Sequence, residues 1–175
     1  MDNKIEKILT NENINDSINE NLKILLDLIP EIKYMINFKH NHPHHHLDVW
    51  NHTLYALSLS PNDFEIRLIL LLHDIGKPHS YQDEDGIRHF KGHAEISSDM
   101  ARSILKRLNY KDEFINEVCL LISLHDTQIN VSDIQNNEEL YYKLYQVQYC
   151  DALAHNPTKL DTRIKYLKKT KEFFK

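Results

Sequence analysis

A chain of 175 residues with 41% hydrophobic content can bury one real core and has the composition of neither a disordered nor a membrane-embedded protein. Its formal charge of −5 argues against a dedicated binder of long nucleic acid, which would carry a basic excess. Only three glycines occur, at 76, 86 and 92, so neither the dinucleotide-binding nor the P-loop glycine pattern can be built, and helices are favoured over a many-stranded sheet.

The start, Met1-Asp2-Asn3-Lys4, runs on into polar sequence without a leader-like apolar region. The longest apolar run is far below the ~20 residues that cross a bilayer, so no membrane span and a cytoplasmic location are expected. Leu22, Ile24, Leu25, Leu28 and Ile29 form a helical stripe ended by Pro30, and Ile32 to Phe38 continue it briefly. The segment 40–46, His-Asn-His-Pro-His-His-His, reads as a polar loop. A helix is predicted over 47–59. Pro61-Asn62-Asp63 is a turn with Asp63 as N-cap of a helix over 64–74. That helix is apolar nearly all round from Leu68 to Leu72, which places it in the middle of a bundle. Gly76 is expected to stop it and Pro78 to prevent its resumption.

Periodicity vanishes over 79–92, where Asp83-Glu84-Asp85-Gly86 signals a turn closing a small hairpin between 81 and 90. Helices follow over 93–108 and 112–125. Residues 126–137, rich in Asn, Asp and Ser, read as a loop. A helix over 138–153 is broken by Asn156-Pro157-Thr158, and a last helix runs to the C-terminus. Its lysines read as a solvated face. Cys119 and Cys150 are far apart in apolar context and read as buried, reduced thiols. The prediction is an all-α bundle, one domain over 1–175 with its core at about 40–155.

The chemistry lies in His73-Asp74, set at the end of the apolar run. Buried charge is costly unless something binds it, and a metal ion is the obvious partner. His52, His93, His125 and Asp151 are further candidate ligands, each on or beside an apolar helix, which is how bundles assemble metal sites. Imidazole and carboxylate without thiolate suit Fe, Ni, Mn, Co or Zn in a catalytic site. Six ligands are too many for one ion that also holds water. Two ions bridged by Asp74 fit the number better, though one remains open. Asp161 is a rival to Asp151; His93 also reads as a helix-start residue without metal contact, and His125 as an ordinary, partly buried histidine. Lys77 is either a point charge for a substrate phosphate or a solvated turn lysine. His44, His45 and His46 either reach the mouth of the site and hold phosphate oxygens or lie exposed in their loop. Asp48 and Asp126 are candidates for orienting the ligands.

The string Leu71-Leu72-His73-Asp74-Ile75-Gly76-Lys77-Pro78, preceded by His52 and followed by Asp151, resembles the HD-domain superfamily of metal-dependent phosphohydrolases. Within it, the chain looks like the HD domain of bacterial CCA-adding tRNA nucleotidyltransferases. Pro43-His44-His45, Asp48 to Thr53, Asp83 to Gly86, His89-Phe90-Lys91-Gly92-His93, Leu124-His125-Asp126 and Asp151-Ala152 carry that likeness. The resemblance implies His52, His73, Asp74 and Asp151 as metal ligands, with His93 and His125 matching members that have an enlarged or two-metal site. A nucleotidyltransferase head is absent, with one helical segment before the HD region, so the resemblance implies the hydrolase part and not tRNA 3′-end synthesis.

The reading is a phosphohydrolase in which a metal-activated hydroxide attacks a nucleotide phosphomonoester or cyclic phosphodiester. Asp74 holds the ions and Lys77 the phosphate. The expected partner is a small nucleotide-type phosphate. An HD-type di-iron oxygenase and a non-catalytic nucleotide-sensing module are the alternatives, and the oligomeric state is open.

Overall fold

The computed structural model describes residues 4–175, apart from the side chains of Lys159 and Asp161. Met1, Asp2 and Asn3, and the side chain of the rival ligand Asp161, therefore lie outside the described residues. In chain order the elements are α1 (Lys4–Leu9), α2 (Ile14–Glu20), α3 (Leu22–Leu28), a 3-10 turn (Pro30–Tyr34), α4 (Val49–Ser58), α5 (Phe64–Leu72), α6 (Lys77–Ser80), β1 (Gln82–Glu84), β2 (Ile87–His89), α7 (His93–Arg107), α8 (Asp112–Leu124), α9 (Val131–Asn136), α10 (Glu138–Leu153), a second 3-10 turn (Pro157–Lys159) and α11 (Asp161–Lys171). The architecture is all-helical with one small antiparallel hairpin, as the sequence pattern predicts.

Helix α5 organises the bundle. Asp63 caps it by accepting from the backbone N–H of Ile66, and every residue from Ile66 to Leu72 is buried. Helices α4, α7, α8 and α10 pack on it. Each fully buried Leu or Ile there contributes roughly 2 kcal/mol. Arg67 is the one charged residue in that run. Its guanidinium donates to the carbonyls of Leu9 and Asn11 and to Asn62 Oδ1, which ties the N-terminal helices to α5. The apolar core extends from Ile5 in α1 to Leu167 in α11.

Several local expectations need correction. Two short helices, α1 and α2, precede α3, where the sequence shows one helical segment. Their few buried positions (Ile5, Ile8, Leu9, Ile14 and Ile18) are too short a pattern to register. Ile24 stands 37% exposed, off the stripe to which it was assigned. Regular helix ends at Leu72, with His73 as C-cap, rather than at 74. Tight turns follow, with Ile75 N–H bonding Leu72 O and Lys77 N–H bonding Asp74 O. Pro78 does not prevent resumption. It sits in the first turn of α6, where a missing N–H costs nothing. Gly76 has φ −81, so it is no left-handed stop. A Cβ there would meet Ser97 N at 2.7 Å and His93 O at 2.8 Å, so its role is close approach to α7. Within the predicted loop 126–137, α9 forms on a capping box in which Asn130 and Asp133 satisfy each other's backbone N–H.

The hairpin turn places Asp85 and Gly86 at φ 50 and 79, the two left-handed positions of a tight two-residue connection. Arg88 carries this hairpin across the histidine loop, donating from its backbone to Asn41 O and from its guanidinium to Lys39 O.

Candidate metal centre

Four imidazoles converge on Asp74 by the same device. His52, His73, His93 and His125 each turn Nδ1 to a backbone carbonyl: Ala154 at 3.2 Å, Leu70 at 2.7 Å, Phe90 at 2.9 Å and Ile122 at 2.6 Å. A ring whose Nδ1 donates to its carbonyl can present its Nε2 lone pair to a cation. For His73, His93 and His125 the carbonyl lies three residues back in the chain, so the helix end or turn that carries the ring also orients it.

The Nε2 atoms fall into two sets. His52 and His73 lie 3.7 and 3.3 Å from Asp74 Oδ2, and 2.9 and 3.5 Å from Asp151 Oδ1. His93 and His125 lie 3.4 and 3.8 Å from the other oxygen, Asp74 Oδ1, and 3.2 Å from each other. Two groups could each hold a cation, His52–His73–Asp74 and Asp74–His93–His125, with donor atoms within 4.8 Å of one another. Asp74 belongs to both, one oxygen to each. All six candidate ligands are thus brought together from α4, the turn after α5, α7, the end of α8 and α10.

The donor chemistry fits a bound cation. His73 Nε2 and Asp74 Oδ1 are buried polar atoms without a hydrogen-bond partner among the described residues, which is costly unless something else satisfies them. Electrostatics point the same way. Burial works against charge on His73, yet Asp74 and Asp151 outweigh it and push that imidazole up to about 10. Burial likewise opposes ionisation of Asp74, but His73 and Lys77 hold its carboxyl well below the usual range. Asp151 is lowered against burial by the histidines around it and by Arg163. The two carboxylates create a point of negative potential; Lys77 answers one oxygen of Asp74 and Arg163 one oxygen of Asp151, and a proton on His73 or a bound cation would offset the rest.

Lys77 is buried rather than solvated. Its Nζ lies 2.7 Å from Asp74 Oδ2 and 3.3 Å from His40 Nε2. His45 stacks on His40 with ring centroids 3.7 Å apart and touches His155 and His52, whereas His44 is exposed. All three face a cavity of about 470 Å³ that also takes in Asp74, His93, His125, Asp126 and Asp151. His46 lies outside that lining. Asp48 does not orient a ligand: it is the N-cap of α4, accepting from Asn51. Asp126 does reach the centre, its Oδ2 3.2 Å from His93 Nε2.

Sequence reasoning missed two residues. His40, the first residue of the segment read as polar loop, is buried and anchors Lys77. Arg163 on α11 donates to Asp151 Oδ2 at 3.2 Å, to His125 O at 3.2 Å and to Asp126 Oδ1 at 3.4 Å. Its helix otherwise shows a lysine-rich pattern, and no local signal separates Arg163 from it. Cys119 and Cys150 are free and buried.

Comparison with known proteins agrees with this geometry. The chain is 37% identical over 103 residues to the CC-adding tRNA nucleotidyltransferase of Thermus thermophilus, covering 55% of this chain and 24% of that protein. It is 35% identical over 98 residues to the A-adding tRNA nucleotidyltransferase of Deinococcus radiodurans, covering 52% of this chain and 23% of that one. The chain thus spans about a quarter of the length of these curated relatives. The family model of the HD domain matches residues 44–166, which contain every imidazole and carboxylate of the two cation-holding groups. The chain belongs to the HD-domain family, whose superfamily is one of metal-dependent phosphohydrolases.

Proposed function

We propose that this protein is a metal-dependent phosphohydrolase of a small nucleotide phosphomonoester or cyclic phosphodiester. The observation that carries the reading is Asp74, whose two oxygens serve two separate imidazole pairs. His52, His73, Asp74 and Asp151 would hold one divalent ion, and Asp74, His93 and His125 a second, from among Fe, Ni, Mn, Co and Zn. When bound, such ions supply Lewis acidity and an activated water near neutral pH.

The protein's own residues supply the rest. Lys77 neutralises Asp74 and brings an ammonium to the cavity wall, where it also attracts a substrate phosphate. His44 and His45 border the same cavity and hold phosphate oxygens at its mouth. Burial opposes charge on Asp126, but His125, His93 and Arg163 around it hold its carboxyl below the usual range. It lines the cavity beside His93, where it would be placed to take up a proton from a water activated by the ions. A space of about 470 Å³ suits a small ester rather than a polymer. No helix among the described residues is long and apolar enough to cross a membrane. We place the protein in the cytoplasm, as one domain.

The test is elemental analysis of protein purified without added metal, together with phosphate release from nucleotide monophosphates and cyclic nucleotides without oxygen. Asp74→Ala should lose bound metal and lower kcat/KM by about a thousandfold or more, the scale of loss for a central electrostatic group. Hydrolysis that survives in Asp74→Ala with metal content unchanged would sink the assignment.

A further inference from the structure

A second cavity, about 720 Å³, adjoins the metal centre between the loop after α8 and helix α11. It shares His44, Asp126, Thr127 and His155 with the first cavity, so the two form one continuous surface. Arg163 lines it and, through its hydrogen bonds to Asp126 and Asp151, forms the partition between the two spaces.

The lining selects the chemistry of an occupant. Leu160 and the ring of Tyr166 provide apolar surface. The side chains of Thr127, Gln128 and Thr162 are exposed and make no hydrogen bond among the described residues. They leave two hydroxyls and an amide, neutral and uncommitted, on either side of the groove. The Tyr166 hydroxyl, by contrast, is committed to the backbone of Ile129, accepting from its N–H at 2.7 Å and donating to its carbonyl at 3.1 Å. That clamp fixes the ring in place as a flat wall. The guanidinium of Arg163 is engaged by Asp126 and Asp151, and the Asp126 carboxylate at the junction repels further negative charge. The groove therefore suits a neutral group with a flat apolar face and hydrogen-bonding edges, not a second phosphate.

We infer that this groove is the subsite for the nucleoside part of the substrate, with its phosphate in the adjoining metal centre. The inference rests on the phosphohydrolase reading for the phosphate end, but the groove's own binding needs no hydrolysis. Thr162→Trp fills the groove from an exposed position on α11 and leaves the core untouched.

Two measurements decide the matter. In the first, kcat/KM is compared for adenosine 5′-monophosphate and for p-nitrophenyl phosphate. Thr162→Trp should lower the nucleotide-to-nitrophenyl ratio by about tenfold, equal to ~1.4 kcal/mol of selective binding. In the second, adenosine at millimolar concentration is added to isotope-labelled protein. Amide shifts should cluster at Thr127, Gln128 and Thr162 in the native chain and vanish in the variant. An unchanged ratio in an active enzyme overturns the subsite while leaving the phosphohydrolase reading intact. If neither ester is hydrolysed, the monoester part of that reading fails, and the adenosine experiment alone decides the groove: shifts there sustain it, and none overturns it.

Discussion

Arg163 shows how much one side chain from outside the recognisable motif can control. Its guanidinium reaches a carboxylate at each half of the centre, Asp151 and Asp126, and the carbonyl of His125. Burial disfavours its charge, but Asp151, Asp126 and Asp74 hold the group protonated, so it acts as a permanent cation. It is a positioning residue, orienting ligands without touching the ion they would bind. Partners of this kind typically alter metal affinity by about 10- to 100-fold when removed. Arg163→Ala should weaken metal binding by that factor in a competitive chelator titration. Arg163→Lys, which keeps the charge and loses the fork, should recover part of it. Equal affinity in all three proteins would reduce Arg163 to a surface ion pair.

At the scale of elements, the contact between the turn at Gly76 and helix α7 sets the distance between the two halves of the centre. Gly76 N–H donates to Ser97 Oγ at 2.9 Å, and the missing Cβ lets the turn lie against the backbone of His93 and Ser97. His73 and Asp74 stand on one side of this contact and His93 on the other. Gly76→Ala adds a methyl with nowhere to go. It should cost roughly 1–3 kcal/mol, the usual range for overpacking, and should also weaken metal retention by displacing His93. Thermal melting and metal analysis read the two effects separately; a variant as stable and as well loaded as the native chain would refute the close-approach argument. The same principle explains the helix ends. Asp63 was legible as a cap because an Asp before an apolar run is a local signal. The Asn130–Asp133 box opening α9 was hidden because its helix is only Val131–Asn136 and buries Ile134 alone.

For the molecule as a whole, the ligands come from elements spread over the chain, His52 and Asp151 being 99 residues apart. A cation held there would link α4, the turn after α5, α7, α8 and α10, and would therefore bind the folded state and not the unfolded chain. By mass action it should stabilise by about 2.7 kcal/mol at a free concentration of a hundred times Kd. For a chain of this size that is roughly 5–11 °C in Tm. Stripping with a chelator should lower Tm by that amount, and re-addition should restore it. Asp74→Ala should show no metal dependence. A Tm in the native chain that ignores both chelator and metal would contradict the centre.

The sequence alone determined the helical class, the hairpin and the central placing of α5, and it singled out six candidate ligands, five of which fall in the two cation-holding groups. These rest on local signals: apolar spacing, a cap, an Asp-Gly turn, and a string of residues dense enough to resemble one family. Tertiary structure decided what those residues do together. Nothing in the spacing of His52, His73, His93 and His125 shows that they divide into two pairs, one for each oxygen of Asp74. Nothing local marks His40 or Arg163, or shows that Lys77 is buried against Asp74 rather than solvated. The reason is physical. Periodicity records which face of a helix is apolar, whereas the meeting of polar groups inside a bundle depends on how the helices pack, and that information is distributed over every residue at their contacts.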